Sequence, residues 1–332
     1  MRRPLPTLDE FVTAIQGRDR VALARAITLV ESAKPEHAGL AQAIIQRLLE
    51  AAPATSAPTL RIAITGAPGV GKSTFIEALG QTILASGHRV AVLAIDPSSA
   101  VSKGSILGDK TRMEQLSAQE NAFIRPSPSG ESLGGVARKT RETIFLTEAA
   151  GYEVVLVETV GVGQSEIAAH GMTDLFLLLL LPGAGDELQG IKRGIVEMAD
   201  LVVVNKADGD RIHLANQARV HYINATHLLP PKPSGWTPRV LTCSALEQSG
   251  IAELWQTVQT FREHTLQNGF LLENRRQQAQ HWFKDALLEG LQSNFYKDPA
   301  VRAQLEALQP KVVEGAVSPF AAAQAVLECF FR

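Results

Sequence analysis

Cysteine is scarce: only Cys243 and Cys329 occur in 332 residues, far apart and without metal-ligand spacing, which argues against a disulfide framework or a cysteine zinc site. A reducing cytoplasm is the compartment this usage fits. Charge of one sign is lacking too. The 32 basic and 34 acidic residues leave a formal net charge of -2, so no global field favours nucleic acid or a membrane surface. The longest apolar run, Leu175 to Leu181, falls far short of the roughly 20 residues that span a bilayer and reads as a buried strand. After Met1-Arg2-Arg3 the chain turns to Pro, Thr, Asp and Glu, so no signal peptide is expected. The eight histidines form no H-E-x-x-H or comparable ligand cluster, and no internal repeat or low-complexity tract is present.

With 45% hydrophobic residues the chain can bury a large core. Residues 7–52 read as helices: Thr7 and Glu10 make a capping box, and Pro35 suits the first turn of a segment with helical apolar spacing through Ile44, Ile45, Leu48 and Leu49. A linker rich in Pro and small residues follows, giving an N-terminal helical segment over 1–58. Apolar runs at 60–65, 90–95, 153–158, 175–181, 200–204 and 239–242 then alternate with helical stretches near 72–86, 133–150, 187–197, 210–228 and 249–264. That alternation predicts an α/β domain over 59–265, a mostly parallel sheet flanked by helices. Beyond it, over 266–332, the segments 267–293, 298–308 and 318–331 look helical without a sheet to pack on, as an appendage or oligomerisation arm.

Gly66-Ala67-Pro68-Gly69-Val70-Gly71-Lys72-Ser73, with Thr74 behind it, fits G-x-x-x-x-G-K-[ST] between a strand and a helix. This is the pattern of a P-loop NTPase. Its glycines let backbone amides wrap phosphates, the helix N-terminus adds partial positive charge, Lys72 reaches the β/γ oxygens, and Ser73 can ligate Mg²⁺. Downstream, Asn205-Lys206-Ala207-Asp208 follows another strand. A carboxylate at Asp208 accepts two parallel hydrogen bonds from guanine N1–H and N2–H₂; adenine offers neither and would leave it desolvated and unpaired. The nucleotide read here is therefore GTP or GDP. Lys206 can lay its stem along the base, Asn205 can brace neighbouring loops, and Ser244, Ala245 and Leu246 can supply amides to guanine O6.

Carboxylates at strand ends complete the site. Glu158 ends Val154-Val155-Leu156-Val157 where such folds place an Mg²⁺-side acid, and the Gly161 amide can meet the γ-phosphate. Asp96 can hold the metal or its water shell, or simply cap the turn before Pro97; Asp109 is a metal-side or water-orienting candidate, or a surface acid. Asp186 and Lys192 lie in a glycine-rich segment that either swings toward the nucleotide or a partner, or is a solvated loop. Val162, not Gln, follows Gly161, so a water-orienting glutamine is missing at that position and slow unaided hydrolysis is expected.

Taken in order, these residues resemble the MeaB/ArgK family of P-loop GTPases, which includes the human methylmalonic aciduria type A protein. The similarity runs through Asp96-Pro97-Ser98-Ser99, Gly108 to Met113, Glu158 to Glu166, Gly185 to Lys192 and Asn205 to Asp208. It implies a GTPase chaperone of adenosylcobalamin-dependent methylmalonyl-CoA mutase, coupling GTP hydrolysis to cofactor loading, protection or reactivation of the mutase. It further implies roles for Asp186 and Lys192 in partner-activated hydrolysis and a homodimer formed through the C-terminal helices, and it leaves open whether a cobalamin adenosyltransferase joins the complex. Ala67 stands where some dimeric relatives carry a second loop lysine, so lysine activation in trans is not expected. The rivals are a protein kinase or ATPase linked to basic amino-acid transport, which Asp208 argues against, and a metallochaperone GTPase, for which no His- or Cys-rich delivery segment is present.

Overall fold

The computed structural model describes residues 5–32, 34–51, 58–95, 113–126, 133–159, 164–183 and 193–331. Seven strands form one sheet: β1 (Leu60–Gly66), β2 (Val90–Ile95), β3 (Ala122–Arg125), β4 (Val154–Thr159), β5 (Leu175–Leu180), β6 (Leu201–Val204) and β7 (Arg239–Thr242). Their order is β3-β2-β4-β1-β5-β6-β7, and every adjacent pair is parallel. β1 leads to β2 on one side and the chain later passes from β4 across β1 to β5 on the other, so the winding reverses beside β1, and ligands in such sheets bind at the carboxyl edge there.

Both faces are covered, which is why β5 reads as an unbroken apolar run instead of an alternation. Leu60, Ile62 and Ile64 of β1 point to a core shared with Phe75, Ile76, Leu79 and Ile83 of α4 (Lys72–Ala85) and with Leu254, Val258 and Phe261 of α10 (Ile251–Gln267). On the other face α6 (Leu133–Ala149) packs on β2 and β4, and α7 (Gln164–His170) on β1 and β4. Arg61 is only 4% exposed and fastens α6 to the sheet through a two-pronged ion pair with Glu148, at 2.7 and 2.8 Å. The N-terminal helices α1 (Leu8–Gln16), α2 (Arg20–Glu31) and α3 (Pro35–Glu50) pack against α6. The capping box expected at Thr7 and Glu10 is present.

The entering edge of the sheet is pinned by aspartates. Asp174 donates its amide to the Arg61 carbonyl at 2.8 Å and accepts the Arg61 amide on Oδ2 at 2.9 Å. Asp200 repeats the arrangement on Phe176, at 2.8 and 2.9 Å, and its Oδ1 takes Lys232 at 2.7 Å. With β1 and β5 registered at one edge, residues at the other edge come into place by strand length alone.

Two compact units are present, Met1–Leu272 and Glu273–Arg332. In the second, the remainder of α11 (Phe270–Lys297) is followed by α12 (Pro299–Val313) and α13 (Pro319–Phe330). Val301, Ala322 and Val326 are buried there, and Phe295 meets Phe330 edge-on at 5.1 Å. Among the described residues no helix is long and apolar enough to cross a membrane.

Three elements were not expected, the four-residue helix α5 (Glu114–Ser117) among them. Strand β3 is four residues long, too short to show a period, and α7 is seven residues long with Glu166 and His170 interrupting its apolar positions. Of the helix expected near 187–197, the structure describes α8 (Arg193–Met198).

Candidate functional site

The carboxyl edge gathers the ends of β1, β4, β6 and β7. After β1 the chain turns through Gly66, Gly69 and Gly71, whose φ angles are 154°, 81° and 93°. A Cβ on Gly66 would sit 2.5 Å from the Leu179 carbonyl oxygen of β5, so the close approach of loop to sheet needs glycine. Gly71 takes the N-cap position of α4 in the left-handed conformation without a side-chain cap bond. The first-turn amides of α4 are thus left as donors for an anion. Ala67, Pro68 and Val70 fill the turn, Val70 is fully buried, and Thr74 is exposed.

Lys72 Nζ donates to the carbonyls of Gly66 at 2.8 Å and Ala67 at 3.3 Å. Burial lowers its pKa, and the carboxylates of Glu158 and Glu166 oppose that shift. Ser73 Oγ donates to Glu158 Oε1 at 3.4 Å. These two oxygen donors, brought from α4 and β4, are the hard ligands that Mg²⁺ takes.

Side chains of Asn205-Lys206-Ala207-Asp208 hold the phosphate loop directly. Asn205 Nδ2 donates to the Val70 carbonyl at 2.9 Å, and Lys206 Nζ to the Gly69 carbonyl at 2.8 Å. Asn205 Oδ1 meanwhile accepts the Ala245 amide at 3.1 Å and faces the Cys243 thiol at 3.5 Å. Lys206 has a φ of 59°, a left-handed conformation that a lysine rarely adopts and that the surrounding bonds maintain. Ser244 Oγ donates to Asp208 Oδ2 at 2.5 Å while accepting the Glu247 amide at 3.1 Å, so its hydroxyl hydrogen is aimed at the carboxylate. Leu246 is exposed beside it. Burial pushes the Cys243 thiol up to about 12, leaving it a neutral packing group.

The structure therefore assembles Gly66 to Ser73, Glu158, Asn205 to Asp208 and Ser244 to Leu246 at one edge. Asp96, Asp109, Gly161, Asp186 and Lys192 lie outside the described residues. Three neighbours were not singled out from sequence: Thr65, Thr159 and Glu166, all buried behind the loop. Thr159 and Glu166 fall within the Glu158-to-Glu166 stretch that carries the family resemblance, but nothing in the sequence attached a role to either side chain.

Residues 23–300 match the family model described as methylmalonyl Co-A mutase-associated GTPase MeaB. The chain is 50% identical to the Escherichia coli GTPase ArgK, over 84% of this chain and 83% of that protein. To the mouse methylmalonic aciduria type A homolog, a mitochondrial protein, it is 46% identical over 97% of this chain and 79% of that one. Among solved structures, that of a LAO/AO transport system kinase superposes with a TM-score of 0.77 at 36% identity, covering 99% of this chain and 100% of the other.

Proposed function

This chain belongs to the methylmalonyl Co-A mutase-associated GTPase MeaB family and is a GTPase, and from that premise we propose that it hydrolyses GTP with Mg²⁺ as the chaperone of an adenosylcobalamin-dependent methylmalonyl-CoA mutase. The observation that carries the guanine assignment is the pair of bonds from Asn205 and Lys206 onto the phosphate loop, which puts Asp208 in one rigid unit with the phosphate-binding amides. The mutase as client rests on the family to which the chain belongs.

In this reading Asp208 accepts guanine N1–H and N2–H₂ while Ser244 orients it. The α4 amides and Lys72 receive phosphate oxygens, Lys72 exchanging its two carbonyl partners for them. Ser73 and Glu158 would hold Mg²⁺, which would neutralise phosphate charge when bound. Catalysis is positioning plus electrostatics. Asp96 is proposed on the metal side and the Gly161 amide at the γ-phosphate, and the segments around Asp109 and Asp186 to Lys192 are proposed to complete the site when the mutase docks. Homodimerisation is assigned to the C-terminal helices, where Phe283, Leu287, Leu288 and Leu291 of α11 present an exposed apolar stripe.

The test is phosphate release from GTP by the purified protein, alone and with the mutase, with ATP in parallel. Stimulation by the mutase confined to GTP is expected. Bound GTP without stimulation would remove the mutase as client, and transfer of labelled γ-phosphate to a second polypeptide would favour the kinase activity named in the solved relative.

A further inference from the structure

We infer that Glu166 is a positioning residue for GTP turnover, its buried carboxylate tying the ends of β1 and β4 and the first turn of α7 into one hydrogen-bonded cluster behind the phosphate loop. The inference rests on the GTPase reading of that loop. Thr159 Oγ1 donates to Thr65 Oγ1 at 2.9 Å, Thr65 Oγ1 donates to Glu166 Oε1 at 3.4 Å, and Ser165 Oγ donates to Glu166 Oε2 at 3.2 Å. Each hydroxyl has one proton, so a carboxylate at the end gives the chain a single direction. All four side chains are at most 1% exposed.

Among the described residues the hydrogen-bond donors to this buried carboxylate are neutral hydroxyls, a costly arrangement for which an apolar side chain of similar volume would cost less. Its position says what the charge is for. Thr65 immediately precedes Gly66, whose carbonyl accepts Lys72 Nζ at 2.8 Å. The cluster thus anchors the residue next to the one on which Lys72 rests, from the sheet face opposite to Ser73 and Glu158. Among the described residues the charged groups acting on Lys72 are Glu158 from β4 and Glu166 from α7, both favouring its protonated form against burial. From the base-reading segment, Lys206 lies on the neighbouring Gly69 carbonyl. Glu158 has the further task of facing Ser73, whereas Glu166 is bonded to Thr65 and Ser165 on the opposite sheet face.

Glu166→Gln keeps the volume and an acceptor and removes the charge. One of the two hydroxyls then loses its acceptor and the anchor on Thr65 loosens beside the Gly66 carbonyl that Lys72 rests on, so kcat for GTP should fall about tenfold with KM changed less than about twofold. Glu166→Asp, which restores the carboxylate, should recover kcat in part, and Glu166→Ala should not. An unchanged kcat in Glu166→Gln, or a loss that only follows thermal stability with no recovery in Glu166→Asp, overturns the inference. Thr159→Val breaks the first link and leaves the carboxylate, which keeps the test sound if Glu166→Gln does not fold. It should lower kcat about threefold with KM in place, and wild-type turnover in it also overturns the inference. Lys72→Ala is the control for the reading beneath: if it abolishes GTP turnover, a failure of the Glu166 variants counts against Glu166 alone.

Discussion

Truncation of Asp208 to alanine should erase the preference for guanine, and the size of the effect follows from the bonds the carboxylate makes. Asp208 is held by the Ser244 hydroxyl at 2.5 Å on Oδ2, and the segment that carries it is locked to the phosphate loop through Asn205 and Lys206. On the proposed reading it would meet the base already oriented, without reorganisation on binding. Two hydrogen bonds to an ionised acceptor contribute about 1.5–3 kcal/mol each, so Asp208→Ala should weaken GTP by about 3–6 kcal/mol, a factor of about 10² to 10⁴. ATP makes neither bond and should change little. Ser244→Ala removes only the orienting donor, for a loss of about 1 kcal/mol, or roughly fivefold. Because Ser244 acts through Asp208, the double variant should bind GTP no worse than Asp208→Ala. Competition of GTP and ATP against a fluorescent guanine nucleotide measures all four proteins. A GTP-over-ATP ratio in Asp208→Ala within threefold of the parent refutes the base assignment, and additive losses in the double variant refute the orienting role of Ser244.

Gly66→Ala places a Cβ 2.5 Å from the Leu179 backbone oxygen at a φ of 154°, where neither partner can yield cheaply. A loss of about 2–4 kcal/mol in urea unfolding is expected, and a change under 0.5 kcal/mol would discount the close approach of loop to sheet. Asp200→Ala strips the Phe176 amide and the partly buried Lys232 ammonium of their carboxylate at the entering edge of the sheet. It should cost about 3–5 kcal/mol of stability while leaving KM for GTP unchanged, and a raised KM in the folded variant would contradict the separation of the two edges. Cys243 is 2% exposed with its thiol pushed up to about 12, whereas Cys329 is partly exposed. A chromogenic disulfide at mild alkaline pH should label one thiol per native chain and two in denaturant; rapid labelling of a Cys329→Ser chain would overturn this.

Much of the fold can be read from the linear sequence because the deciding interactions are local. Buried parallel strands need apolar runs and their crossovers need helical spacing, so six of the seven strands and the helices after β1 and β7 are visible as pattern. The Gly66–Ser73 loop is legible for the same reason, since glycine positions, lysine and serine must follow one another along the chain to wrap a phosphate. Strand β3 carries too little pattern in Ala122–Arg125 to stand out, and it exists because β2 offers it an edge. Register and partnership belong to the tertiary structure. Nothing local indicates that Asn205 will bond to Val70, Lys206 to Gly69 or Ser244 to Asp208, because those bonds join segments separated by 135, 137 and 36 residues. Glu166 is the clearest case. In sequence it closes a stretch that carries the family resemblance without a stated role, and only the convergence of β1, β4 and α7 turns it into a buried carboxylate behind the phosphate loop. Residue identity along the chain determines which chemistry is available, and the parallel sheet, by bringing distant strand ends to one edge, decides which groups act together.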